Sequence, residues 1–185
     1  MIVGSIGYDD IETPIATGSD ILGGSAVHAG VSSSFHLPET PDVVRSVGLV
    51  APIGNDFSAS HQSKLEDLGI DFSGVEKLPG KTFRWSGRYS GTMENVETIS
   101  TEVNVLGDFS PKIPESWKAP NVLFCANTHP ASQVLVLDQC PSSEITAIDT
   151  FMLWIETEFE SLSTCLLYTS PSPRDATLSR MPSSA

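Results

Sequence analysis

The chain has 185 residues, 39% of them hydrophobic and 18% charged, with a formal net charge of −13 at pH 7. Such a composition fits a soluble globular protein with one core and excludes a disordered chain; the acidic balance excludes a nucleic-acid surface, which needs a basic stripe. No apolar run approaches the roughly 18 residues of a membrane span, no signal peptide is visible, and Cys125, Cys140 and Cys165 lack metal-ligand spacing, which points to a reducing cytoplasm.

Residues 2–6, Ile-Val-Gly-Ser-Ile, read as a short buried strand that breaks at Gly7 and delivers Asp9 and Asp10. A strand ending in glycine and a carboxylate is how an open α/β sheet presents a polar group at its carboxyl edge, where ligands bind. Residues 11–22 read as extended, since Thr13-Pro14 suits a strand edge and not a helix interior. Gly23, Gly24 and Ser25 then open a helix to about residue 34, and two glycines there let a ligand approach the backbone and its free N–H groups. A carboxylate that accepts from hydroxyls, facing such donors, makes a polyol site. Ser25 by itself reads as a packing residue.

Residues 38–42 read as a loop and 43–50 as the next buried strand. Asp56 suits the N-cap of a helix that runs to Leu68 and stops at Gly69. Strands alternating with helices predict a mainly parallel sheet. Residues 81–89 and 96–106 alternate with period two and read as a β-hairpin turning near Ser90-Gly91. Its first strand places Thr82, Arg84, Ser86 and Arg88 on one face and Phe83, Trp85 and Tyr89 on the other. Residues 120–127 form a strand ending at Asn127, 130–139 a helix with Pro130 in its first turn, and 145–150 a strand ending at Asp149 and Thr150. Asn127 and Asp149 stand at strand ends that converge on a ligand crevice, or cap the turns that follow.

Gly4-Ser5-Ile6-Gly7-Tyr8-Asp9 followed by Gly23-Gly24 resembles the N-terminal substrate-binding signature of the ribokinase-like (PfkB) carbohydrate kinases. The likeness continues through Val47-Gly48-Leu49-Val50-Ala51-Pro52-Ile53-Gly54-Asn55-Asp56-Phe57 and Leu68-Gly69-Ile70-Asp71, and on to about Trp154. It implies an α/β fold, a mainly parallel sheet flanked by helices and truncated here, with a small β-lid made by strands at about 11–22 and 81–106. It further implies a cytoplasmic kinase that uses ATP and Mg2+ to phosphorylate a hydroxyl of a sugar or nucleoside. Asp9, Gly23 and Gly24 match the family's sugar-binding positions, and His28 stands where the family usually has Asn. The lid would cover the sugar, Arg84 would approach an anionic ligand, and a homodimer through the lid is a family habit. An Asn also commonly follows the position of Asp149, where this chain has Phe151, Met152 and Leu153.

Phosphoryl transfer in that family rests on a Gly-Ala-Gly-Asp motif and an Asn-x-x-Glu motif, and the sequence has neither. Walker-type, dinucleotide-binding, His-Glu-x-x-His and Cys-x-x-Cys motifs are absent too. His28, His36, His61 and His129 are too scattered for a metal site; surface or capping roles suit most of them. The expected protein is thus the sugar-binding part of a kinase, with the catalytic aspartate elsewhere and no cofactor bound to this chain itself. Two alternatives stand beside it. One is a non-catalytic polyol-binding module; the other is a dinucleotide-dependent oxidoreductase, which would place a helix directly after Gly7. Residues 165–185 turn rich in serine and proline and lose periodicity. They resemble a translated sequencing adapter, so residues 1–164 are expected to form the native part and 165–185 a disordered, non-native tail.

Overall fold

The computed structural model describes residues 1–37 and 46–169. The loop expected at 38–42, the start of the strand expected at 43, and the tail from 170 onward lie outside the described residues.

A five-stranded sheet forms the body. Its strands are β1 (Ile2–Val3), β4 (Val47–Ile53), β5 (Ile70–Lys77), β8 (Val122–Cys125) and β9 (Ile145–Ile148), in the spatial order β5-β4-β1-β8-β9. Every neighbouring pair is parallel. β4 is buried at all seven positions, the continuous apolar run expected of a central strand covered on both faces. Alternation along β1 and β4 sends Ile2, Leu49 and Ala51 into one core with Val27, Leu65 and Ile70, and Val3 and Val50 into a second with Leu123, Cys125, Val136 and Cys165.

The helices divide between the faces accordingly. α1 (Ser25–His36) and α2 (Ala59–Asp67) supply Val27 and Leu65 to the first core, and α3 (Pro130–Gln139) and α5 (Phe159–Thr169) supply Val136 and Cys165 to the second. α3 starts with Pro130 at its first turn as its sequence predicts, and His129 caps it by accepting from the Ala131 amide at 3.2 Å. A short α4 (Met152–Thr157) leads into α5.

A second sheet lies where the lid strands are expected: β3 (Thr17–Gly23), β2 (Gly7–Glu12), β6 (Phe83–Ser90) and β7 (Asn95–Glu102), in that spatial order. β2 pairs antiparallel with β3 and parallel with β6, and β6 pairs antiparallel with β7.

Several expectations are corrected here. The first strand is two residues long, because Ser5 is drawn off toward α1; Asp9 and Asp10 therefore lie within lid strand β2 and not at the carboxyl edge of the body sheet. Residues 11–22 are not one extended segment but parts of β2 and β3, joined by a turn in which the Thr13 amide and hydroxyl both donate to the Ala16 carbonyl. Asp56 is not the cap of α2: Ser58 is, accepting from the Ser60 amide at 3.3 Å. β7 ends at Glu102, and 104–106 form a 3-10 turn entered at Asn104, whose φ is +47°. α5 runs across Thr164 to Thr169, with Leu162 and Cys165 both buried.

Candidate functional site

Chain order and spatial order part company at β1, which has β4 on one side and β8 on the other. The crevice at the carboxyl ends of such neighbours is where open α/β sheets bind ligands. Three segments meet there: the residues after β1, the start of α1 and the residues after β8.

Two serines fasten this junction. The Ser5 amide donates to Ser25 Oγ at 3.1 Å, the Ser25 amide donates to Ser5 Oγ at 3.0 Å, and Ser25 Oγ donates to the Asn127 carbonyl at 2.9 Å. The Ala26 amide donates to the Ser5 carbonyl at 3.0 Å. The first two amides of α1, those of Ser25 and Ala26, are therefore satisfied within the chain. Gly24 makes the turn possible: its φ is +103°, and a side chain there would collide with the Ser5 carbonyl oxygen.

Asp9 stands over this junction on the lid. β2 and β3 leave the body at the paired residues Gly7 and Gly23, and the Asp9 carboxyl folds back over Gly23 so closely that a Cβ at 23 would collide with Asp9 Oδ2. Burial pushes the Asp9 carboxyl above its ordinary range; the charge of His28 pulls it back and Asp10 adds to the rise. His28 itself is exposed on the first turn of α1. Asp9, Gly23, Gly24 and His28 thus form one group at the seam between lid and body.

The remaining candidates divide. Asn127 joins the junction through its backbone, while its Oδ1 accepts from the Trp154 indole N–H at 2.9 Å. Asp149 is exposed at the end of β9, one strand further out; its amide donates to the Cys125 carbonyl at 2.8 Å and its carbonyl accepts from Gln133 Nε2 at 3.0 Å. Arg84 does not reach the Asp9 group. Its register partner on β2 is Tyr8, so it lies on the opposite face of the lid, over the Tyr8 ring at 5.1 Å and bonded to Asp20 at 2.7 Å. The Asp20 carboxylate holds the Arg84 proton more firmly still. Arg88, on the same face, pairs with Glu12 and Glu97.

The sequence reading missed Ser5 and Trp154, because both act through partners far away in the chain. It also missed that Trp85 is the backbone register partner of Asp9 on β6; its indole lies over Gly87 and donates to Thr98 Oγ1 at 3.3 Å. Trp85 was readable only as a member of the apolar face of the hairpin. A separate open cleft of about 880 Å³ lies at the amino ends of β1, β4 and β8, lined among the described residues by Met1, His36, Trp117 and Phe124; Leu37 and Ser46, which flank the undescribed stretch, border it.

Solved structures carry the same architecture. The nucleoside kinase of Methanocaldococcus jannaschii, an archaeal member of the ribokinase family, superposes with a TM-score of 0.68 at 14% identity, over 91% of this chain and 58% of that one. The fold is ribokinase-like. The Burkholderia thailandensis nucleoside kinase in complex with inosine gives a TM-score of 0.65 at 13% identity, over 91% of this chain and 57% of that one. The ribokinase of Cryptococcus neoformans in complex with ADP gives 0.57 at 14% identity, over 93% and 61%. The chain therefore spans a little over half the length of these ribokinase-like structures. No protein-family model and no curated protein matches it. The strand that follows Gly7, where a dinucleotide-binding oxidoreductase would have a helix, sets that alternative aside. Among the described residues no helix is long and apolar enough to cross a membrane.

Proposed function

We propose that this chain is the substrate-binding part of an ATP-dependent, ribokinase-type kinase that phosphorylates a hydroxyl of a sugar or nucleoside. The observation that carries the reading is the Asp9 carboxyl, half-buried over Gly23 at the seam between lid and body and facing the first turn of α1. A desolvated carboxylate accepts strongly from hydroxyl groups, and two vicinal hydroxyls satisfy its two oxygens at once. His28, exposed beside it, supplies a ring nitrogen to the same polyol.

The resemblance ties ATP and magnesium to motifs that the sequence lacks. Gly-Ala-Gly-Asp is absent from the sequence, and no group of three His, Cys, Asp or Glu side chains among the described residues is placed to hold a metal ion. The transfer residues, in this reading, belong to a C-terminal half beyond the chain, with 165–185 a non-native tail. Edge strand β9 and helices α4 and α5 support it, since their apolar residues Ile145, Met152 and Phe159 are 60%, 63% and 66% exposed. A second copy would add at the exposed edge of β7, which carries Val96 and Ile99.

An independent DNA read across the codons for Thr164 and Cys165 tests this. The reading expects the frame to continue into a Gly-Ala-Gly-Asp segment. A read that confirms Cys165 to Ala185 as native, or magnesium-dependent phosphorylation of a sugar by the purified chain, overturns it.

A further inference from the structure

The root of the second lid hairpin is fastened at one buried residue, Thr82, which is 0% exposed. Asp56 Oδ1 accepts from both the Thr82 amide and the Thr82 hydroxyl, each at 2.7 Å. Thr82 Oγ1 in turn accepts from the Gly54 amide at 3.0 Å, and the Thr82 carbonyl accepts from Asn104 Nδ2 at 3.0 Å. The Asn55 amide donates to the Gly80 carbonyl at 2.8 Å and the Val105 amide to the Lys81 carbonyl at 3.2 Å. Gly54 has no room for a side chain, which would collide with the Thr82 amide. The entry to β6 is thus bound to the loop between β4 and α2, and the exit from β7 is bound to that entry.

The consequence runs into the site. Thr82 immediately precedes β6, and β6 lies parallel to β2 in the register Gly7 to Phe83, Tyr8 to Arg84 and Asp9 to Trp85. A shift of Thr82 along the strand disturbs the pairing of β6 with β2, the strand that carries Asp9, and a one-residue slip turns every β6 side chain to the other face. We infer that Asp56 is a positioning residue: through Thr82 it sets the register of β6 on β2, and with it the place of the strand that carries the Asp9 carboxyl. This rests on the proposed substrate site for its functional meaning, but the fastening itself does not.

The test compares Asp56→Ala and Thr82→Val with the conservative variants Asp56→Asn and Thr82→Ser in the full chain. Asn keeps the Oδ1 acceptor and Ser keeps the hydroxyl, so these two isolate the hydrogen bonds from charge and bulk. Hydrogen exchange is followed in β6 and β7 and, as the control, in β4 and β8; ribose and adenosine are titrated by calorimetry. The Ala and Val variants are expected to raise lid exchange about tenfold, as the loss of a hydrogen bond to a charged group implies, and to weaken whichever compound binds. Exchange in β4 and β8 stays as in the parent, the Ser variant restores the lid, and the Asn variant, which keeps the acceptor without its charge, restores it in part. Unchanged lid exchange in both Asp56→Ala and Thr82→Val overturns the inference, and so does an equal rise in β4 and β8. If the parent binds neither compound, the proposed substrate site falls while the exchange data still decide the fastening.

Discussion

Asp9 and Gly23 occupy adjoining places across the first turn of the lid, and the space over the Gly23 α-carbon is filled by the Asp9 carboxyl. The diglycine is thus split in its physical role: Gly23 makes room for the carboxylate, and Gly24 supplies a backbone conformation that L side chains rarely adopt.

Gly23→Ala and Gly24→Ala are therefore expected to fail differently. At position 23 the new methyl displaces a side-chain end, so the fold survives and polyol binding weakens about tenfold or more, as the loss of charge-assisted hydrogen bonds implies. At position 24 it meets backbone and a φ of +103°, so stability falls by about 1–3 kcal/mol. Urea unfolding and a binding titration on both variants separate the two.

Asp9 should trade stability for binding. Its folded-state pKa lies above the ordinary 3.8, burial being the main cause. The folded chain holds this proton more tightly than the unfolded chain, so the carboxyl does no harm below pH 3.8 and opposes folding as pH rises through the raised value. Asp9→Asn is expected to raise the Tm at pH 7, with the gain shrinking toward pH 3.8, and to lose polyol binding. A Tm gain that is independent of pH contradicts this.

Asp56 has the opposite sign. Burial works upward on it, but the two donors of Thr82 and the nearby Arg84 outweigh burial and hold its pKa below 3.8. Its contribution to the fold is present above pH 3.8 and lost as pH falls through the lowered value. Lid amides of the parent, followed by exchange, are expected to loosen only below pH 3.8, whereas those of Asp56→Ala are loose throughout.

Ser25→Ala removes one hydroxyl that accepts from Ser5 and donates to Asn127. It leaves half-buried backbone groups unpaired, which costs about 1–3 kcal/mol. Thermal unfolding within a few tenths of a degree of the parent would show that the clasp contributes nothing.

Cys125 is fully buried at the end of β8, and burial pushes its thiol up to about 12, with Cys165 and Cys140 adding to the rise. The thiolate is the reactive form. The native chain is expected to resist iodoacetamide at Cys125 near neutral pH and to be labelled there only on unfolding, as mass spectrometry of the peptides will show.

What the sequence disclosed followed the range of the interactions. β4 and α3 were legible because a seven-residue apolar run and a helix-starting proline carry their meaning locally. The lid hairpin β6–β7 was legible from its alternation. β5 was not, because Ser73 and Gly74 interrupt its apolar residues and it is held chiefly by pairing with β4. Asp56 looked like a helix cap because it stands just before α2; its carboxylate goes instead to Thr82, 26 residues on, a contact that no local pattern announces. Arg84 was placed on the correct face of its strand, but which face meets the site depends on pairing with β2. Asp9, Gly23 and Gly24 were legible as a pattern, although Asp9 was assigned to the wrong sheet.

The most direct test of the substrate-site assignment is a calorimetric titration of ribose and of adenosine into the purified chain and into Asp9→Ala. The proposed site predicts saturable one-to-one binding of at least one of the two, abolished by the substitution. No heat from either compound, or equal binding by parent and variant, would contradict it.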